Sequence, residues 1–131
     1  MKKLIITLSL IIVNLFAFSQ CALGTFYLDV TPPPQNGTST VSGITGGDYV
    51  TVNVIAGNIY TFTTCSDVSF DTELTLYDNV SVFIDYNDDD CGVQSTITWT
   101  ATYTGVVQLQ VNEFGCIDNG TTTTIEITST L

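Results

Sequence analysis

Short runs in which apolar and polar residues alternate are the feature that most constrains the fold of this chain. In Tyr49–Ile55, for example, every second residue is a valine, and most of the residues between are polar. Turn sequences such as Ala56-Gly57-Asn58 and Thr104-Gly105 separate the runs. No stretch after residue 20 has the helical period of about 3.6 residues, and β-branched and aromatic residues dominate the runs. The pattern therefore predicts an all-β fold, an antiparallel β-sandwich of about eight strands with jelly-roll or Greek-key connections.

The same pattern predicts how the first runs pair. We expect Tyr49–Ile55 and Ile59–Thr64 to form a hairpin, because a short glycine-containing turn lies between them. Val41–Asp48 contains three glycines and is expected to be irregular or an edge strand.

Later runs are predicted to be strands with one face in the core and the other in solvent. In Asp71–Tyr77, the alternation places Leu74 in the core and Glu73 in solvent. In Val106–Asn112, it exposes Gln110 in the same way.

Residues 1–20 have the pattern of a secretory signal peptide. Two lysines precede an apolar stretch from Leu4 to Phe18, and cleavage is expected after Ser19 or Gln20. A membrane anchor is disfavoured, because the stretch is short for about 30 Å of hydrocarbon. Lipid attachment at Cys21 is a minor alternative. We therefore predict a single domain over residues 21–131, with its core in residues 49–128, that is secreted or displayed at the cell surface.

The charge of the chain excludes several classes of function. Both lysines lie in residues 1–20, so residues 21–131 carry all 13 acidic residues and no Lys, Arg or His. Without cations, binding to nucleic acid or to an anionic membrane surface is disfavoured. Nucleophilic mechanisms that use a histidine or lysine base are excluded as well. A hydrolase that uses only carboxyl groups is the remaining catalytic alternative, and we predict that the chain is not an enzyme.

Four cysteines, Cys21, Cys65, Cys91 and Cys116, follow the signal peptide. An even number in an exported chain indicates two disulfides, and the spacing leaves all three pairings open. We favour Cys65–Cys91 together with Cys21–Cys116. Zinc is disfavoured, because no CxxC pair and no histidine is present.

An acidic segment before Cys91 is the candidate metal site. Asp88, Asp89 and Asp90 follow one another there, and we add Asp71 as a fourth ligand of calcium. Calcium takes about six to eight oxygen ligands, but the spacing is not that of an EF-hand loop. The alternative is a solvated turn in which the aspartates accept hydrogen bonds from their own backbone.

Five segments of the chain, taken in order, resemble the bacterial pre-peptidase C-terminal domain of secreted, multidomain proteins from Bacteroidetes-type bacteria. They are Val54–Cys65 (VIAGNIYTFTTC), Phe70–Leu74 (FDTEL), Tyr86–Gly92 (YNDDDCG), Ser95–Ala101 (STITWTA) and Thr104-Gly105. The resemblance implies a jelly-roll-like sandwich, a Cys65–Cys91 bridge and no catalytic residue. Domains of this family are accessory modules of secreted peptidases and adhesins, and some bind collagen or other polymers, in some cases with calcium.

The expected function is that of a non-catalytic accessory module that binds or adheres to a polymer or a surface. The ligand is not specified by the sequence. The alternative is a structural spacer, or a fragment of a larger secreted enzyme such as a peptidase, whose partner is a covalently linked neighbouring domain.

Overall fold

The computed structural model describes residues 21–31, 33 and 35–131, which form two β-sheets packed face to face. The predicted signal peptide lies outside these residues. The described part contains no helix, and hence none that could cross a bilayer. Its nine strands are β1 (Thr25–Val30), β2 (Thr38–Thr45), β3 (Asp48–Val54), β4 (Ile59–Thr63), β5 (Thr72–Asp78), β6 (Phe83–Asn87), β7 (Thr96–Thr100), β8 (Gly105–Glu113) and β9 (Thr122–Thr130).

The two sheets confirm the predicted antiparallel β-sandwich. One sheet has five strands in the order β1-β3-β8-β5-β6, and the other has four in the order β2-β9-β4-β7. Every neighbouring pair is antiparallel except β1 and β3. The glycine-rich segment expected to be irregular or an edge forms β2, an edge strand whose register shifts between Ser42 and Ile44.

Apolar side chains from the inner faces of both sheets form one core. The predicted alternation is correct for β3, whose three valines are buried, and for β8, which buries Val107, Leu109 and Val111. Strands β2, β4, β7 and β9 supply the facing side, and Val30 and Ile44 also belong to the core. Burial of each such aliphatic side chain favours folding by about 1.5–3 kcal/mol.

The predicted hairpin between β3 and β4 is wrong, because the two strands lie in different sheets. The intervening turn bonds to a distant segment instead: Gly57 N donates to the carbonyl oxygen of Ala101, and Ala101 N donates to that of Asn58, both at 2.8 Å. Gly57 has a φ of 90°, which glycine adopts without strain. The turn therefore carries the chain from one sheet to the other.

Two polar side chains predicted to be exposed, Glu73 of β5 and Gln110 of β8, are fully buried. Residues 21–24 lie over the outer face of the five-stranded sheet: Gly24 N donates to Gln110 Oε1 at 2.8 Å, and the Cys21 sulfur contacts Glu73 Oε1. The approach is close enough that a Cβ at Gly24 would meet the carbonyl oxygen of Gly47 at 1.9 Å. The alternation assigned these residues to the outer face correctly, but a second layer of chain covers that face.

Candidate functional site

Three loops gather at one end of the sandwich and form what we call the acidic end: residues 64–71, 88–95 and 114–121. Backbone hydrogen bonds join them, since Thr72 N donates to the Val93 carbonyl at 3.0 Å and Phe114 N donates to the Asp71 carbonyl at 2.9 Å. The acidic residues in or next to these loops are Asp67, Asp71, Asp88, Asp89, Asp90, Glu113 and Asp118. The opposite end includes the loops 55–58, 79–82 and 101–104, and the one acidic residue in or next to these three loops is Asp78.

Both disulfides lie at the acidic end. Cys21 is bonded to Cys116, with 5.2 Å between their Cα atoms, and Cys65 is bonded to Cys91, with 5.9 Å. These are the two pairings that the sequence favoured. Because the sulfur of Cys21 belongs to a disulfide, this structure is incompatible with a lipid on the same atom.

A buried set of hydroxyl groups holds two of the loops against β5. The Thr64 and Thr72 hydroxyls lie 2.6 Å apart, and Ser95 N donates to Thr64 Oγ1 at 3.1 Å. The Ser95 hydroxyl reaches the carbonyl oxygens of Thr72 and Asp88. All three hydroxyl-bearing residues are fully buried, so the loops that carry the acidic residues are fixed by the core.

Glu73 is the residue that the sequence analysis most misjudged. Its buried carboxyl group accepts hydrogen bonds from Cys116 N at 2.9 Å, from Gly115 N at 3.1 Å and from the Tyr86 hydroxyl at 3.1 Å. Burial raises the pKa of Tyr86, and the adjacent Glu73 and Asp88 raise it further. Glu73 therefore ties β5 to the 114–121 loop and, through Cys21, to the beginning of the described chain.

Asp71 lies near other carboxyl groups, and none of the residues that the structure describes has a basic side chain to neutralise it. Its Oδ1 atom is inaccessible to solvent and has no hydrogen-bond partner among the described residues. Burial raises the pKa of the Asp71 carboxyl, and the neighbouring Asp89, Asp88 and Glu113 raise it further. Residues 21–131 contain no basic side chain, so any compensating cation must come from outside them.

The four predicted calcium ligands are only partly brought together. Asp88 and Asp89 lie near enough to raise the pKa of Asp71, but Asp90 lies instead with Cys65 and Cys91. Among the described residues, no three carboxyl groups bring ligand atoms within 4.8 Å of one another. Two sets of three residues do bring possible ligand atoms within this distance, but each set consists of one carboxyl group and the two cysteines of a disulfide. The acidic end therefore has the ligand type that calcium prefers, without a ready-made cage of carboxyl groups.

Large apolar side chains are exposed beside these acidic residues. Val68 is 81% exposed, Phe114 56%, Ile117 51% and Val93 49%. Two of them belong to segments that bond next to the Asp71 side chain, since Phe114 N donates to the Asp71 carbonyl and the Val93 carbonyl accepts from Thr72 N. The surface thus combines negative charge with apolar area, and its reactive groups are limited to carboxyls, hydroxyls and amides.

Comparison with known proteins identifies one family and several similar folds. The family described as a domain of unknown function, DUF8695, matches residues 39–131. No curated protein matches the chain.

Two solved structures resemble it over most of their length. The pre-peptidase C-terminal domain of a collagenase from Bacillus anthracis is 18% identical with a TM-score of 0.50, over 81% of this chain and 95% of that one. The g-type lysozyme inhibitor PliG from Aeromonas hydrophila is 15% identical with a TM-score of 0.53, over 80% of this chain and 99% of that one. The first confirms, at the level of the fold, the resemblance recognised from the sequence.

Proposed function

We propose that this chain, which belongs to the family of unknown function DUF8695, is an exported, non-catalytic binding module that contacts its ligand through the acidic end. The observation that carries the proposal is the pairing, on one rigid surface, of uncompensated carboxyl groups with exposed Val and Phe side chains. Exposed apolar groups beside charged ones are typical of surfaces that bind a partner.

The two disulfides support export. Disulfides persist mainly in oxidising compartments outside the cytoplasm, and this chain has no free cysteine among its described residues. The lysozyme inhibitor of similar fold is itself described as periplasmic. These observations agree with the signal peptide predicted for residues 1–20.

The structural neighbours support a role in binding without specifying the ligand. One is part of a collagenase, and the other is an inhibitor that acts on another protein, a lysozyme. Polymers and proteins are therefore both reasonable classes of ligand for this fold. A spacer between domains is the competing role, and it would need no ligand at all.

A binding screen with two matched variants tests the proposal. The purified chain is offered collagen fibres, insoluble polysaccharides and immobilised g-type lysozyme, and the bound fraction is measured. Phe114→Ser, at the acidic end, should reduce binding to whichever ligand is retained. Ile55→Ser, at the opposite end, removes a side chain of equal exposure (58% against 56%) and should leave binding unchanged. Failure to bind any ligand at high protein concentration would favour the spacer, and equal losses in both variants would contradict binding at the acidic end.

Calcium is a second candidate, because the unpartnered Oδ1 atom of Asp71 is a free oxygen ligand beside Asp88 and Asp89. If calcium binds there, a concentration about 100-fold above Kd should stabilise the fold by about 2.7 kcal/mol. The measurement is the melting temperature in calcium and in chelator, for the native chain, for Asp71→Asn and for Glu126→Gln as a control for lost charge. The site is supported if calcium raises the melting temperature of the native chain and of Glu126→Gln but not that of Asp71→Asn. A melting temperature that millimolar calcium leaves unchanged removes it.

A further inference from the structure

We infer that the acidic end docks a positively charged protein surface, one on which Lys or Arg side chains stand beside apolar ones. The inference rests on the proposed function, since it names the partner of the same surface.

The first step is electrostatic. Backbone hydrogen bonds bring the loops 88–95 and 114–121 against Asp71 and Thr72, the Oδ1 atom of Asp71 is inaccessible to solvent and has no hydrogen-bond partner among the described residues, and the chain offers no cation in residues 21–131. A partner that brings a positive group would supply both the missing counter-charge and the missing hydrogen-bond donor, and it would be attracted over long range by the net negative charge of the acidic end.

The second step distinguishes an ammonium or guanidinium group from a metal ion. A protein site for calcium needs several oxygen ligands that converge on one point, and no three carboxyl groups of the described chain do so within 4.8 Å. A Lys or Arg side chain needs only one carboxylate, or two, within hydrogen-bond distance. The spread arrangement around Asp71 therefore fits side chains of a partner better than a single ion.

The third step uses the apolar residues. Phe114 and Val93 are bonded through their backbones to Asp71 and to the adjacent Thr72, and each side chain is about half exposed. A polycation without apolar groups would leave them in water, whereas the centres of protein interfaces bury apolar and aromatic side chains within a polar rim. Charge and apolar area together therefore indicate a protein surface that carries both.

The test uses three synthetic peptides of equal length, followed by backbone-amide NMR on the full chain. One peptide alternates Lys with Leu, the second replaces Lys by Glu, and the third replaces Leu by Ser. The Lys–Leu peptide should shift amides of the loops 64–71, 88–95 and 114–121. The Glu–Leu peptide should not bind, and the Lys–Ser peptide should bind about tenfold more weakly, which corresponds to about 1.4 kcal/mol.

Matched variants then separate the contributions of charge and apolar area. The double variant Asp71→Asn, Asp89→Asn should weaken binding of the Lys–Leu peptide about tenfold. The double variant Asp85→Asn, Glu126→Gln removes the same charge away from the acidic end and should have little effect. Val93→Ser should weaken binding, and Val82→Ser, a comparably exposed valine of the opposite end, should not. Melting curves establish that each variant folds.

Several outcomes would overturn the inference. Equal binding of the Glu–Leu peptide, or equal losses in the two double variants, would show that charge at the acidic end does not select the partner. Calcium chloride that shifts Asp71 and Asp89 and displaces the peptide would identify a metal site instead. If the amide shifts map to the acidic end but are the same for the Lys–Leu and Glu–Leu peptides, the cationic partner is excluded and binding at the acidic end stands. If they map to another surface, the proposed function fails as well.

Discussion

The two ends of this sandwich are built in different ways, although both expose apolar side chains. At the opposite end the 79–82 turn is closed locally: Asp78 Oδ1 accepts hydrogen bonds from Val80 N at 2.9 Å and from Val82 N at 2.8 Å. The other two turns of that end bond to each other through the backbones of Gly57, Asn58 and Ala101, without a disulfide or a buried carboxyl group. At the acidic end the ties are distant in sequence. Glu73 bonds to Cys116, 43 residues away, and Cys21 is bonded to Cys116 across 95 residues.

This difference is the reason for placing ligand binding at the acidic end. In the 79–82 turn, two backbone amides donate to the carboxyl group of Asp78. The Oδ1 atom of Asp78 is therefore already hydrogen-bonded within its own turn. The acidic end leaves carboxyl groups such as Asp71 without a partner and holds their loops by disulfides and a buried carboxyl group. Rigid loops that carry unsatisfied groups are what a binding site requires, because little order is lost on binding.

The largest expected loss comes from removing the disulfides of the acidic end. By the chain-entropy relation, Cys21→Ser with Cys116→Ser should lower the free energy of unfolding by about 4.7 kcal/mol, and Cys65→Ser with Cys91→Ser by about 3.5 kcal/mol. The order follows the separations of 95 and 26 residues. Urea unfolding of the two double variants measures both losses. A smaller loss for the longer loop would contradict the view that the acidic end depends on distant ties.

Glu73→Ala should cost about 3 kcal/mol or more, since it leaves two backbone N–H groups and the Tyr86 hydroxyl without their acceptor. Urea unfolding again gives the measurement. Glu126→Gln is the matched control, because Glu126 is a partly exposed carboxyl group of β9. Equal stability of the two variants would mean that the buried carboxyl group does not hold the 114–121 loop.

At the opposite end, Asp78→Ala should cost only about 1 kcal/mol, because water can replace the carboxyl group at the exposed amides of Val80 and Val82. Thermal melting of Asp78→Ala beside Asp89→Ala provides the comparison. Asp89→Ala should cost less, since it also removes a charge that repels Asp71. A larger loss of stability for Asp89→Ala than for Asp78→Ala would contradict this comparison, because it would mean that Asp89 stabilises the fold more than Asp78 does.

The smallest expected effect concerns pH. The pKa of Asp71 is raised in the folded state, so the folded chain binds this proton more tightly than the unfolded chain does. Stability should therefore fall as the pH rises from the ordinary value of 3.8 through the raised pKa. Asp71→Asn should remove this loss, so that it stabilises the chain at neutral pH and has no such benefit below the ordinary pKa. Melting curves at acidic and neutral pH check the sign, and equal pH dependence of both proteins would contradict it.

The sequence predicts the core faces well, because alternation reports directly which side of a strand is apolar. Val50, Val52 and Val54 are buried as expected. Alternation cannot report a second layer: Glu73 is covered by a residue 52 positions away and Gln110 by one 86 positions away. The hairpin prediction failed for a related reason, since the Gly57 turn is defined by Ala101 rather than by its own residues.

The candidate site was predictable in composition and not in geometry. The acidic segment and Asp71 were chosen for their oxygen atoms, and the structure brings Asp88 and Asp89 towards Asp71. Asp90 lies with the Cys65–Cys91 disulfide instead. The role of Tyr86 was missed, because its hydroxyl donates to Glu73, which the pattern had assigned to solvent.

The nested arrangement of the disulfides has a consequence for biogenesis. Translation makes Cys21 first and Cys116 last, with Cys65 and Cys91 between them. Oxidation in order of appearance would join Cys21 to Cys65 and Cys91 to Cys116, and both bonds would be non-native. To reach the native bonds, Cys21 must stay reduced until Cys116 has been made, or a thiol exchange catalyst must rearrange the early bonds. The Cys21–Cys116 bond, which fixes residues 21–24 over Glu73, can form only after Cys116 has been made, although residues 21–24 are among the first of the domain to be synthesised.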